Sequence, residues 1–134
     1  MNLNKLLNGL LAPFLGAGFL MAGAVNAQNY PDKPVALVVP FAAGGPTDTI
    51  ARLIAVPMGK ALGQTVVVEN TPGAGGTVAS NKVAKAKPDG YMIYIHHMGM
   101  ATAQALYDKL PYDPMKDFEY IGQVADVPLS LIHI

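Results

Sequence analysis

Two short apolar runs, Val35 to Val39 and Val66 to Val68, each lead into a glycine-rich loop, and this repeated join constrains the fold more than any other feature of the chain. A run of β-branched residues with no polar alternation suits a strand buried on both faces, as in a parallel sheet. After the first run, Phe41-Ala42-Ala43-Gly44-Gly45 reads as a loop, and Pro46 suits the first turn of a helix, where its missing amide hydrogen is not needed. Ile50, Leu53, Ile54, Met58 and Leu62 then mark an apolar stripe, with Gly63 as its stop. Pro57 falls inside that pattern and removes a bond to the Leu53 carbonyl, which predicts a kinked or interrupted helix.

The second strand, Thr65 to Glu69, runs into a second glycine loop from Asn70 to Thr77. A short helix over Thr77 to Ala86 follows, with Val78, Ala79, Val83 and Ala86 on its apolar side, and Pro88-Asp89-Gly90 turns the chain into a third strand from Tyr91 to Ile95. The order β-α-β-α-β with short connections predicts an α/β fold, a mainly parallel sheet flanked by helices. Beyond it, His96 to Met100 reads as a loop, Ala101 to Leu106 as a short helix and Tyr120 to Val124 as a fourth strand.

Composition limits what such a fold can do. With 134 residues there is room for one domain, and 9 basic against 9 acidic side chains leave no electrostatic footprint for nucleic acid. The absence of Cys removes disulfides, thiolate metal sites and cysteine nucleophiles. Residues 1–27 have the layout of a signal peptide: Lys5, an apolar stretch from Leu6 to Val25, and a Val25-Asn26-Ala27 site that places cleavage before Gln28. A membrane anchor is the weaker reading, because Pro13 and several glycines break the stretch. Residues 28–134 then form the domain, and its apolar end at Leu131-Ile132-His133-Ile134 has no polar tail, as expected of a truncated chain.

In open parallel sheets a ligand lies beyond the carboxyl ends of the strands, where both glycine loops feed helix N-termini. Such a terminus offers unpaired amides and a partial positive charge, a combination that suits a carboxylate or phosphate. Gly44, Gly45, Gly73, Gly75 and Gly76 would let a ligand approach the backbone, and Thr47, Thr49, Thr71 and Thr77 add hydroxyls near the same mouth. The same glycines equally serve tight turns, and Asp48 in a first helical turn stabilises the dipole whether or not it touches a ligand. Nucleotide motifs fail: Val78 stands where G-x-G-x-x-G needs its third glycine, and neither loop ends in Gly-Lys-Ser/Thr. His96 and His97 would face opposite ways on a strand and have no acidic neighbour, so neither a metal site nor a catalytic pair is indicated, and no serine sits in a G-x-S-x-G elbow.

Tyr30-Pro31-Asp32-Lys33-Pro34, then Val38-Val39-Pro40-Phe41-Ala42-Ala43-Gly44-Gly45-Pro46-Thr47-Asp48 and Ala51-Arg52, closely resemble the opening of the substrate-binding proteins of tripartite tricarboxylate transporters, the Bug family of periplasmic receptors. Leu62-Gly63-Gln64, Val68-Glu69-Asn70, Pro72 to Gly76, Pro88-Asp89-Gly90-Tyr91 and Asp117-Phe118 continue the likeness. The resemblance implies the first lobe of a type II periplasmic binding protein whose second lobe is missing, a monomer when complete. It also implies that the protein captures a small carboxylic acid, needs no cofactor, catalyses no reaction and hands its ligand to a membrane permease. Ligand contacts would come from Phe41, Ala42, Gly44, Gly45, Thr47 and Asp48 in the first loop and Asn70, Gly73, Ala74, Gly75, Gly76 and Thr77 in the second. His96, His97 and Met98 would add contacts from the third loop. A small α/β enzyme acting on an anionic substrate, and a non-functional fragment, are the alternatives.

Overall fold

The computed structural model describes residues 30–126, so the signal-peptide reading and the chain's apolar end lie outside the described residues. The chain divides into Met1–Tyr30 and Pro31–Ile134, and the described residues after Tyr30 belong to the second unit. Three strands, β1 (Val35–Val39), β2 (Val66–Asn70) and β3 (Met92–Tyr94), form one sheet in the order β2-β1-β3. Both pairings are parallel, with Val35 opposite Val66 and Ala36 opposite Met92. The central strand is the one with the purest apolar run: Val35, Leu37, Val38 and Val39 are all at most 1% exposed.

Alternation along the strands assigns the two faces. Leu37 and Val39 pack with Val66, Val68, Ile93 and Ile95 against Ala51, Ile54 and Ala55 of helix α1 (Pro46–Leu62). Tyr94, one residue after Ile93, faces the other way and hydrogen-bonds Ser80 of helix α2 (Thr77–Ala84). The chain therefore leaves β1 over one face to reach β2, then returns over the opposite face to β3, on the far side of β1. A third helix, α3 (Gly99–Leu106), follows β3 and buries Met100 and Ala103.

Several local expectations are corrected. Pro46 does open α1, and Gly63 closes it at φ 69 with its N–H on the Gly59 carbonyl, but no interruption appears at Pro57. Pro57 and Leu53 lie on the exposed side, where water can satisfy the carbonyl that proline leaves unpaired, while Ala51 and Ala55 hold the opposite side to the sheet. The buried edge of α1 is thus Asp48, Ala51 and Ala55 and not the larger stripe, of which Leu53 is 69% exposed. In α2 the buried pair is Ala79 and Ser80, with Val78 exposed, and the helix ends at Ala84. α3 begins two residues earlier than the sequence indicates. The fourth strand over Tyr120 to Val124 does not form: residues 118–126 are irregular, and residues 120–124 are exposed, with no strand pairing to them. Among the described residues no helix is long and apolar enough to cross a membrane.

Candidate functional site

All three strands point their carboxyl ends at one edge, and the loops after them form the site. In the first loop, a knot of side chains sets the backbone. The Gly44 N–H donates to Asp48 Oδ2 at 2.8 Å, and Arg52 Nε donates to the same oxygen at 2.9 Å. Asn70, at the end of β2, donates to Asp48 Oδ1 and to the Phe41 carbonyl, both at 3.0 Å, and accepts from Arg52 Nη2 at 3.3 Å. Asp48 is 2% exposed, and the bonds from Arg52, Gly44 and Asn70 hold its carboxyl down to about 2. Both carboxylate oxygens are thus engaged within the protein, as is the Asn70 side chain.

The turn itself needs glycine at position 44, where φ is +83°; a Cβ there would meet nothing, so the demand is purely conformational. Gly45 caps α1 without a side-chain bond and Pro46 has no N–H, which leaves the amides of Thr47 and Asp48 facing out of the first turn with no carbonyl four residues behind them.

The second loop is shaped by its backbone. Gly73, Ala74, Gly75 and Gly76 all have positive φ (143, 44, 63 and 98°), a path open to few side chains. At Gly76 space matters as well, since a Cβ would fall 2.7 Å from His96 Nε2 and 3.1 Å from Pro40 Cβ. Carbonyls of this loop are tied down from behind. Ala74 accepts from the Tyr107 hydroxyl at 3.1 Å and from Thr77 Oγ1 at 2.9 Å, while Gly76 accepts from Ser80 Oγ at 3.0 Å and Tyr94 Oη at 3.4 Å. Burial pushes the Tyr94 phenol well up, so it remains a hydroxyl. Gly76 caps α2, again with no side-chain cap.

His96 and His97 follow the end of β3, so strand alternation no longer separates them, and both rings reach Phe41 of the first loop. His97 stacks on it with centroids 4.6 Å apart and planes 8° apart, and His96 meets it edge-on at 5.7 Å. Met98 is half-exposed and caps α3, where its carbonyl accepts from Thr102. Among the described residues no three His, Asp or Glu side chains gather as a metal site.

The structure thus joins Phe41, Asp48 and Asn70 by hydrogen bonds and sets the His96 ring close to both Phe41 and Gly76. Arg52, Ser80, Tyr94 and Tyr107 support these loops without being singled out by the sequence reading. Only Arg52 carried a signal, its i, i+4 spacing from Asp48. The mouth of the loops is an open surface. Two hollows, about 250 Å³ beside Tyr107 and Tyr112 and about 460 Å³ between α1 and the start of β2, include no residue of either glycine loop.

Comparison with known proteins places this geometry. The family profile of TctC, the tripartite tricarboxylate transporter family receptor, matches residues 50–133. A UPF0065 protein from the TAR-I ttuE-ttuC' intergenic region of Agrobacterium vitis is 48% identical over 122 residues, which is 91% of this chain and 35% of that protein. The periplasmic binding protein BugD superposes with a TM-score of 0.66 at 56% identity, over 67% of this chain and 30% of BugD. MatC from Rhodopseudomonas palustris with bound malate gives 0.64 at 52% identity, over 66% and 31%. The chain spans about a third of the length of these relatives. A parallel sheet with helices on both faces, two glycine loops at its carboxyl edge and these matches together establish that the chain belongs to the tripartite tricarboxylate transporter receptor family.

Proposed function

We propose that the protein is an exported, periplasmic receptor that captures a small carboxylic acid and delivers it to a tripartite tricarboxylate-type permease, catalysing no reaction. The observation that carries this reading is the pair of glycine loops at one sheet edge, each opening a helix whose N-terminus has no side-chain cap. Amides at such ends complement a carboxylate through hydrogen bonds and the helix dipole. Residues 41–48 and 73–77 supply this surface, with Asp48 and Asn70 acting on the loop backbone, whose shape their side chains hold. The malate bound by MatC is a ligand of the proposed class.

Because these loops form an open surface, they enclose far less of a ligand than a closed cleft does, and affinity of the 134-residue chain is expected to be weak. Thermal unfolding with millimolar malate, succinate, citrate, glutamate and nicotinate tests this, since a ligand of the native state alone raises the midpoint. A ligand at ten times its Kd adds about 1.4 kcal/mol. A cooperative transition indifferent to every acid would refute carboxylate capture by these loops.

A further inference from the structure

The two edges of the sheet differ. β3 is three residues long, and Phe118 stacks beside its Tyr94 with centroids 6.1 Å apart. β2 is five residues long, and among the described residues no strand pairs with its outer side. Soluble proteins block such an edge with proline, lysine or a bulge. β2 has none of these: its residues match those of β1 one for one from Val66 to Asn70, and its single charge, Glu69, is bridged by Lys82 at 2.9 Å.

Hydrogen-bond parity fixes which groups that edge offers. Val35 N–H donates to the Thr65 carbonyl and Thr71 N–H to the Val39 carbonyl, so the odd-numbered residues of β2 turn their backbone to β1. The N–H and C=O groups of Val66, Val68 and Asn70 therefore point outward. Spaced by two and centred on Val68, this set is complementary to itself in the antiparallel sense. Val68 meets Val68 of a second copy and Val66 meets its Asn70, for about six hydrogen bonds in all. Val67, 44% exposed, then comes opposite Glu69 of the other copy, on the face away from α1 where Lys82 holds that carboxylate. In the same register Pro72 of the copy comes opposite Gln64. That residue lines the hollow of about 460 Å³ whose walls include Val56, Gly59 and Val66 and no residue of β1 or β3.

We propose that this chain forms a two-fold symmetric dimer in which β2 pairs antiparallel with β2 of a second copy, joining two three-stranded sheets into one. A second copy suits this edge better than an unrelated strand, because a single register satisfies the outward groups of both partners and makes the Val67 to Glu69 match twice. An isologous contact of this kind closes on itself and leaves no β2 edge open. The carboxyl ends of the two sheets then point in opposite directions, so the glycine loops of each copy stay accessible. The dimer does not depend on the carboxylate reading, and it departs from the monomer that the family resemblance implies.

Sedimentation of the full chain from micromolar to millimolar concentration is expected to show a species of twice the 14.0 kDa chain mass growing with concentration. Because the chain has no cysteine, single introduced thiols report the register. Val67→Cys mixed with Glu69→Cys is expected to form a disulfide between chains, since non-hydrogen-bonded antiparallel partners have Cα atoms about 4.5 Å apart. Neither variant alone should do so, because like positions are offset along the strands. Val67→Asp, set opposite Glu69, is expected to weaken dimerisation about tenfold, and Val67→Lys to preserve it. A chain that keeps its single mass at every concentration overturns the dimer. So does a larger species in which the mixed thiols fail to cross-link, because association then runs through another surface, such as the exposed Ile121 and Val124. Equal weakening by Val67→Asp and Val67→Lys would overturn the proposed register.

Discussion

The two glycine loops stand at the same sheet edge and open similar helices, but different forces shape them. The first is held by side chains: Asp48 gathers Gly44, Arg52 and Asn70, and Asn70 reaches back to Phe41. The second is held by backbone conformation, with four successive residues at positive φ, and by the hydroxyls of Tyr94 in β3, Ser80 in α2 and Tyr107 just after α3, with the His96 ring close to Gly76. A loop of the first kind has one irreplaceable acceptor. One of the second kind spreads its dependence over Gly73, Gly75 and Gly76, where an added Cβ would meet a neighbour at 3.0 Å or less. Similar loops in one chain can therefore fail for unrelated reasons.

The largest effect is expected from breaking the knot. Asp48→Ala removes the acceptor of three donors at once, and among the substitutions considered it should lower the urea midpoint most. Asp48→Asn, which keeps one carbonyl acceptor, should recover part of the loss. Next comes Gly76→Ala, which combines a left-handed backbone with a Cβ 2.7 Å from His96 Nε2. Strain and overpacking together predict a loss of about 2–4 kcal/mol, and a loss under 1 kcal/mol would show that His96 yields freely.

Acid titration should separate the loops in one experiment. The folded-state pKa of Asp48 lies at about 2, below its ordinary 3.8, so its stabilisation is complete above 3.8 and disappears as pH falls towards 2. His96 is also depressed, from 6.5 to about 4, chiefly by burial. Its unfolded form takes up a proton that the folded ring refuses, so stability falls as pH drops from 6.5 to about 4 and is unaffected above that window. Urea midpoints from pH 7.5 to 2.5 should show both declines, and His96→Gln should flatten the upper one while leaving the lower. A variant that loses neither would separate His96 from the second loop. Two smaller changes complete the series. Ser80→Ala removes a buried hydroxyl from the Gly76 carbonyl and should cost about 1–2 kcal/mol, and Gly44→Ala, with open space around its Cβ, should cost only the backbone term of about 1 kcal/mol.

Much of the chain's organisation is local and so was legible in order along it. Apolar runs flanked by proline and glycine marked β1 and β2, Pro46 and Gly63 marked the ends of α1, and the failed nucleotide motifs pointed away from a nucleotide. Resemblance in the residues around Phe41 to Asp48 pointed to the receptor family. Patterns of apolar residues misled where small side chains did the packing: Ala51 and Ala55 approach the sheet closely, and Leu53 is left in water. The irregular stretch at 118–126 shows the same limit for strands, since a run such as Tyr120 to Val124 needs a partner strand and sequence does not display one.

What periodicity and composition determined was the alternation of strands and helices and the placing of glycine at both turns, because those depend on backbone preferences within a few residues. Tertiary structure alone decided the order β2-β1-β3. From that order follow the meeting of Asn70 with Asp48 across 22 positions, of Tyr107 with Ala74 across 33, and of both histidines with Phe41. Contacts of that reach depend on which strand lies beside which and on which face each crossover covers, and those choices are made by packing of the whole sheet.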